Sequence, residues 1–152
     1  MKLMCTIAKD HVVCAAHRLM EHPGKCDRLH GHNYRITYHF AAPAGLNPQG
    51  MVIDFGDIKG SVMWAVDDLI DHKCILQEGD PLIEHLDPAE VFVMPNSPTA
   101  ENIGIGLIHA VQDLLDKAGT GIIIVRIDIE ETPGASATVF TMGEVHANNS
   151  DQ

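Results

Sequence analysis

The run from His30 to Phe40 constrains the fold most. Tyr34, Ile36, Tyr38 and Phe40 alternate with Arg35, Thr37 and His39. A period of two predicts a strand over 32–42 with one buried face. The same alternation reaches back to His30 and His32, which project to one side of an extended chain, while Gly31 leaves room between them. Cys26 stands four residues before His30. Two imidazoles on one face with a thiol close by point to a metal site beside a reactive group.

A metal site needs a third ligand. Residues 3–16 read as a strand that pairs with the first, and His17 closes it. His17, His30 and His32 then make a three-histidine zinc site whose open fourth position marks catalytic zinc. There the metal acts as a Lewis acid on a carbonyl or hydroxyl oxygen. Cys26 fits either of two roles, a further ligand or a mobile thiol base. The chain holds ten histidines, and His11, His17, His22, His30, His32 and His39 crowd into residues 11–39.

With 152 residues, the chain suits a single domain over 1–147 followed by a polar tail over 148–152. No apolar run nears the roughly 18 residues that span a bilayer, and no signal-peptide core follows Lys2, so the expected location is the cytoplasm. A net charge of -11 argues against nucleic acid as a partner. Arg18, Lys25 and Arg28 still gather near the histidines and suit a small anionic substrate. Cys5, Cys14 and Cys74 form no CxxC and read as buried thiols.

The remaining segments follow from periodicity and breakers. Residues 18–29 and 43–50 read as loops. Asp54 caps a helix that runs to His72, and residues 77–98, rich in proline, read as a loop with a short extended piece at 91–93. Thr99 opens a second helix that Gly119 stops. Strands follow over 121–130 and 137–142, around the turn signal Pro133-Gly134. The order strand, strand, helix, helix, strand, strand predicts an α+β fold: one four-stranded antiparallel sheet with two helices on one face, assembling through its edges.

Two acidic sites remain. Asp71-His72 suits proton transfer, although histidine at a helix C-terminus is also favoured by the dipole, and spacing alone prefers that simpler reading. Glu130 and Glu131 read as one solvated carboxylate and one ligand anchor, in either order.

Taken together, His17, Cys26-x-x-x-His30-Gly31-His32-Asn33-Tyr34, Met51-Val52-Ile53-Asp54-Phe55, Asp71-His72-Lys73, Pro98-Thr99-Ala100-Glu101-Asn102 and Glu131-Thr132 resemble the 6-pyruvoyltetrahydropterin synthase / 6-carboxytetrahydropterin synthase family. The resemblance implies a tunnelling fold (T-fold), in which three subunits join their sheets into a barrel and two trimers stack into a homohexamer with active sites at subunit interfaces. It implies a pterin triphosphate substrate, 7,8-dihydroneopterin triphosphate, and Zn2+ held by His17, His30 and His32. It makes Cys26 the general base, Asp71 and His72 an acid/base pair, Glu131 the anchor of the pterin's amino-pyrimidine edge, and Thr99 a neighbour of the pterin. Three residues separate Cys26 from His30, as in the branch that releases acetaldehyde and serves queuosine precursor synthesis. The 6-pyruvoyl reaction is the alternative, and a non-catalytic pterin- or purine-binding protein on the same fold is a third reading. Ala100 departs from the family pattern, and the 77–96 segment is longer than in compact relatives.

Overall fold

The computed structural model describes residues 4–141. Its centre is a hairpin without a tight turn. Strand β1 (Thr6–His17) runs antiparallel to β2 (His30–Ala41), and the register pairs Thr6 with Ala41 at one end and His17 with His30 at the other. Between them the chain makes a short 3-10 turn, Lys25–Asp27.

After β2 come α1 (Phe55–Ile58), a π-helical turn (Lys59–Met63) and α2 (Trp64–Ile70). The Asp54 side chain accepts from the Gly56 amide, as an N-cap does. The helix α3 (Ala100–Lys117) is capped by Thr99, whose hydroxyl accepts from the Asn102 amide. The strands β5 (Ile123–Thr132) and β6 (Ala135–Phe140) close the chain as an antiparallel pair.

The sheet has six strands, not the expected four. The segment read as a proline-rich loop contributes β4 (Val91–Met94), and β3 (Cys74–Gln77) precedes it, with 3-10 turns at Pro81–His85 and Pro88–Glu90 between them. The order is β4-β3-β1-β2-β5-β6. The two added strands run parallel to each other and to β1, so the sheet is mixed rather than antiparallel throughout. Only Ala16 and His17 of β1 pair with β3, and the Asp71–His72 turn takes Cys14, so among the described residues that edge of β1 before Cys14 has no strand partner. The last strand begins at Ala135 rather than Ala137; the expected end at Met142 and the expected tail over 148–152 lie outside the described residues.

One core holds the layers together. Val13 and Ala15 of β1, Tyr34, Ile36, Tyr38 and Phe40 of β2, and Ile124, Ile127 and Ile129 of β5 pack under Val62, Val66 and Ile70 of the first helical run and Ile103, Leu107 and Val111 of α3. Helix α3 crosses β5 and β6, and α2 crosses β1. Gly104 is what lets α3 sit so low: a Cβ there would lie 2.8 Å from Val139 Cγ2. The opposite face of the sheet carries the other parity of residues and is charged. On it Asp128 accepts from His39 and Arg126 at 2.9 Å and from Thr138 at 2.6 Å, and Arg35 reaches Asp10 at 3.1 Å.

Candidate active site

The strand register assembles the histidines. His17 is opposite His30, and Ala15 is opposite His32. Side chains opposite one another share a face of the sheet, so all three imidazoles project to the helix side, at the end of the core. Between the two β2 histidines, Gly31 approaches β1 closely: a Cβ would meet the Ala15 carbonyl oxygen at 3.2 Å.

Hydrogen bonds set the tautomers. His17 Nδ1 lies 2.8 Å from the Pro98 carbonyl oxygen, and His30 Nδ1 lies 2.7 Å from that of Arg28. A carbonyl only accepts, so both Nδ1 atoms carry the proton, and in the neutral rings both Nε2 atoms are left as lone pairs. Those two Nε2 atoms face each other at 3.2 Å. The third, His32 Nε2, is buried and has no hydrogen-bond partner. One ligand atom from each histidine lies within 4.8 Å of the others.

Burial lowers the pKa of His17; the Pro98 carbonyl and Glu131 raise it in part, and His30 and His32 lower it further. The ring is therefore held neutral, as ligation requires. The Glu131 carboxylate adds a negative charge, 3.1 Å from His17 Nε2 and 3.6 Å from His32 Nε2. Converging lone pairs and a carboxylate need a positive charge between them. A divalent cation with imidazole ligands fits that requirement, and tetrahedral zinc would keep one position open.

Tyr34 forms the floor beneath the histidines. Its ring meets His17 edge-on, with centroids 5.8 Å apart, and meets His32 the same way at 5.5 Å. Its hydroxyl is buried without a hydrogen-bond partner. Burial first, then the charge of Glu131 and hydrogen bonding to it, push the phenol above its ordinary range.

Beside the cluster is a cavity of about 260 Å³ lined by His17, Cys26, Thr99, Glu101, Glu131 and the start of β6. Cys26 reaches it from the 3-10 turn, which the Leu19 amide holds by donating to the Cys26 carbonyl at 2.8 Å. Among the described residues the metal-binding group contains the three histidines alone, so the thiol faces the cavity rather than joining the ligands. The two glutamates separate by strand parity. Glu131 turns to the histidines, while Glu130 turns to the other face, 3.7 Å from Arg35 Nε.

Asp71 and His72 are placed elsewhere. Asp71 Oδ1 accepts from the Cys14 amide at 2.8 Å, its Oδ2 accepts from His72 Nδ1 at 2.7 Å, and the His72 amide donates to the Cys14 carbonyl at 2.6 Å. This clip fixes the pair to β1 with His72 at φ 57. The His72 side chain, 78% exposed, lines a second depression with Cys14, Asn33 and Cys74, across the sheet from the imidazoles. One chain alone does not bring Asp71 and His72 to Cys26. Nor is Arg18 available to an anion, because its guanidinium Nε donates to buried Asp80 at 2.7 Å. Lys25 and Arg28 remain exposed.

Tyr34, Glu101, Asn102 and the Pro98 carbonyl were not singled out by the sequence. Tyr34 could have been, since it continues the parity of His30 and His32.

Residues 6–141 match the family described as 6-pyruvoyl tetrahydropterin synthase. The chain belongs to that family. It is 36% identical to the probable 6-carboxy-5,6,7,8-tetrahydropterin synthase of Halobacterium salinarum, over 82% of this chain and 79% of the relative. It is also 36% identical to the 6-carboxy-5,6,7,8-tetrahydropterin synthase of Rickettsia bellii, over 82% of this chain and 92% of the relative. Among solved structures, an uncharacterised protein from Wolinella succinogenes superposes with a TM-score of 0.76 at 22% identity, covering 91% of this chain and 99% of the other. The Caenorhabditis elegans 6-pyruvoyl tetrahydropterin synthase gives 0.67 at 24% identity, over 91% and 96%. These likenesses establish the T-fold. Among the described residues, no helix is long and apolar enough to cross a membrane.

Proposed function

We propose that this chain is a zinc-dependent lyase that converts 7,8-dihydroneopterin triphosphate to 6-carboxy-5,6,7,8-tetrahydropterin, releasing acetaldehyde and triphosphate for a queuosine-type precursor pathway in the cytoplasm. The observation that carries the reading is one cavity in which Cys26 and Glu131 flank His17, while the lone pairs of His17, His30 and His32 converge beside it. The names of the relatives at 36% identity favour the 6-carboxy product.

His17, His30 and His32 would hold the zinc, which when bound supplies Lewis-acid polarisation of the substrate's side-chain oxygens. Glu131 anchors the pterin, its two oxygens accepting from the paired N–H groups of the amino-pyrimidine edge. Thr99 lies against the same ring. Cys26, as thiolate, removes a proton from the substrate side chain. His72 carries protons at Nε2, with Asp71 holding its Nδ1–H.

The pair acts on the cavity of a neighbouring subunit. Its exposure and its position across the sheet support this, as does the edge of β1 before Cys14, which has no strand partner among the described residues and is available for joining sheets into a trimeric barrel and a hexamer. Residues 1–147 are taken as the one domain that repeats in the assembly.

Incubating the zinc-loaded protein with 7,8-dihydroneopterin triphosphate tests the assignment. The expected product is the 6-carboxy compound by mass spectrometry, with acetaldehyde in equal amount. A 6-pyruvoyl product without acetaldehyde would overturn the branch, and binding without turnover would overturn catalysis.

A further inference from the structure

The hydroxyl of Tyr34 has no use in the site as described so far. It is buried with no partner at full hydrogen-bond distance, the Glu131 carboxylate lies near enough to act on it by charge and hydrogen bonding, and its ring lies edge-on to two of the three histidines. Leaving a hydroxyl buried and unpaired costs about 1–3 kcal/mol. Phenylalanine would fill the same space without that cost, so the group points to a partner gained in another state of the site.

The register names the partner. Arg35 pairs with Glu130 across β2 and β5. The neighbouring residues, Tyr34 on β2 and Glu131 on β5, both turn to the face that carries the histidines. Glu131 at present leans on His17 Nε2 at 3.1 Å and approaches His32 Nε2 at 3.6 Å. His17 Nε2 carries a lone pair, and a metal that takes it together with His32 Nε2 leaves neither nitrogen a proton to offer the carboxylate. The buried O–H of Tyr34 is then a donor close to that carboxylate, whose charge the phenol already feels.

We infer that Tyr34 is a positioning residue: with metal bound, its hydroxyl donates to the Glu131 carboxylate and fixes the orientation in which that carboxylate receives the pterin edge. The inference rests on the reading of Glu131 as the pterin anchor. Tyr34 touches no reacting atom. It restricts the rotation of a carboxylate whose two oxygens must meet two N–H groups at once, and such restriction strengthens binding by reducing the ordering cost.

A double-mutant cycle between Tyr34→Phe and Glu131→Gln tests it, read by the affinity of the zinc-loaded protein for 7,8-dihydroneopterin. Tyr34→Phe keeps the ring and its packing. It is expected to weaken binding about tenfold, to raise KM for the triphosphate substrate with kcat little changed, and to leave one zinc per chain by elemental analysis. In the Glu131→Gln background it is expected to add no further loss, because the two groups act as one. Unchanged affinity in Tyr34→Phe, additive losses, or loss of zinc from Tyr34→Phe would each overturn the role. If Glu131→Gln binds as tightly as the wild type, the anchor reading fails and this inference with it. Failure of Tyr34→Phe alone to weaken binding leaves the anchor standing.

Discussion

The Nδ1 atom of His17 donates to the carbonyl oxygen of Pro98, 2.8 Å away and 81 residues further along the chain. The carbonyl one residue earlier, that of Ser97, is held by the start of α3. The Asn102 side chain donates to the Ser97 carbonyl at 2.8 Å, and so does the Thr99 amide. The first turn of α3 therefore aims a histidine of β1. Asn102→Ala is expected to weaken zinc binding by about tenfold, at the low end of what groups behind a metal ligand contribute. Competition with a chromophoric chelator measures it; an unchanged affinity would show that the turn holds its shape without the amide.

Ligand and base are distinguishable by what each substitution removes. His30→Ala is expected to lose the metal, and Cys26→Ala to keep it while turnover drops about 10²–10⁴-fold. Zinc content alongside a single-turnover assay separates the two. Loss of zinc from Cys26→Ala would move the thiol into the ligand set.

Arg18 and Asp80 give a pH dependence with a definite sign. The Arg18 hydrogen bond holds the Asp80 carboxyl below its ordinary range, with the Leu82 amide and the Arg18 charge acting the same way against burial. A carboxyl depressed in the folded state stabilises it above the unfolded pKa of about 4, and that contribution fades as pH falls through the folded value. Arg18→Met strands a buried carboxylate and is expected to cost about 3 kcal/mol at pH 7. The gap between wild type and variant should close as pH falls below about 4, as Asp80 protonates in both. Urea melts across pH 3–7 would show this; a gap constant with pH would assign the cost to packing.

Gly104→Ala is expected to destabilise, against the usual helix preference for alanine. The added Cβ would lie 2.8 Å from Val139 Cγ2 and 3.4 Å from Ile129 Cγ1, and a β-branched valine on β6 has little rotamer freedom to yield. The expected loss is about 1–3 kcal/mol, with a lower melting temperature. A rise in melting temperature would mean that α3 lifts off the sheet without penalty.

The sequence carried the centre of the site because period-two spacing and strand pairing are local. His30 and His32 share a face by parity alone, and His17 falls opposite them because the strands pair end to end. The strands β3 and β4 were hidden for the opposite reason. Each has four residues, both run parallel, and they flank proline-rich turns, so only the extended piece at 91–93 of β4 was legible and its place in the sheet was not. The π-helical turn at Lys59–Met63 leaves no mark in an apolar pattern that tolerates one extra residue. The ambiguity between Glu130 and Glu131 ended once β5 was set against β2, because a register of one residue decides which carboxylate turns to the histidines.

The backbone at His72, φ 57, belongs to a region where a side chain other than glycine or asparagine is disfavoured. A sequence optimised for folding alone would not put an imidazole there. Asparagine at 72 would suit the turn better and carry no proton at neutral pH. With His72 as the proposed proton carrier, selection for thermal endurance and selection for turnover would pull this one position in opposite directions. Stabilising screens that ignore catalysis should drift towards its replacement.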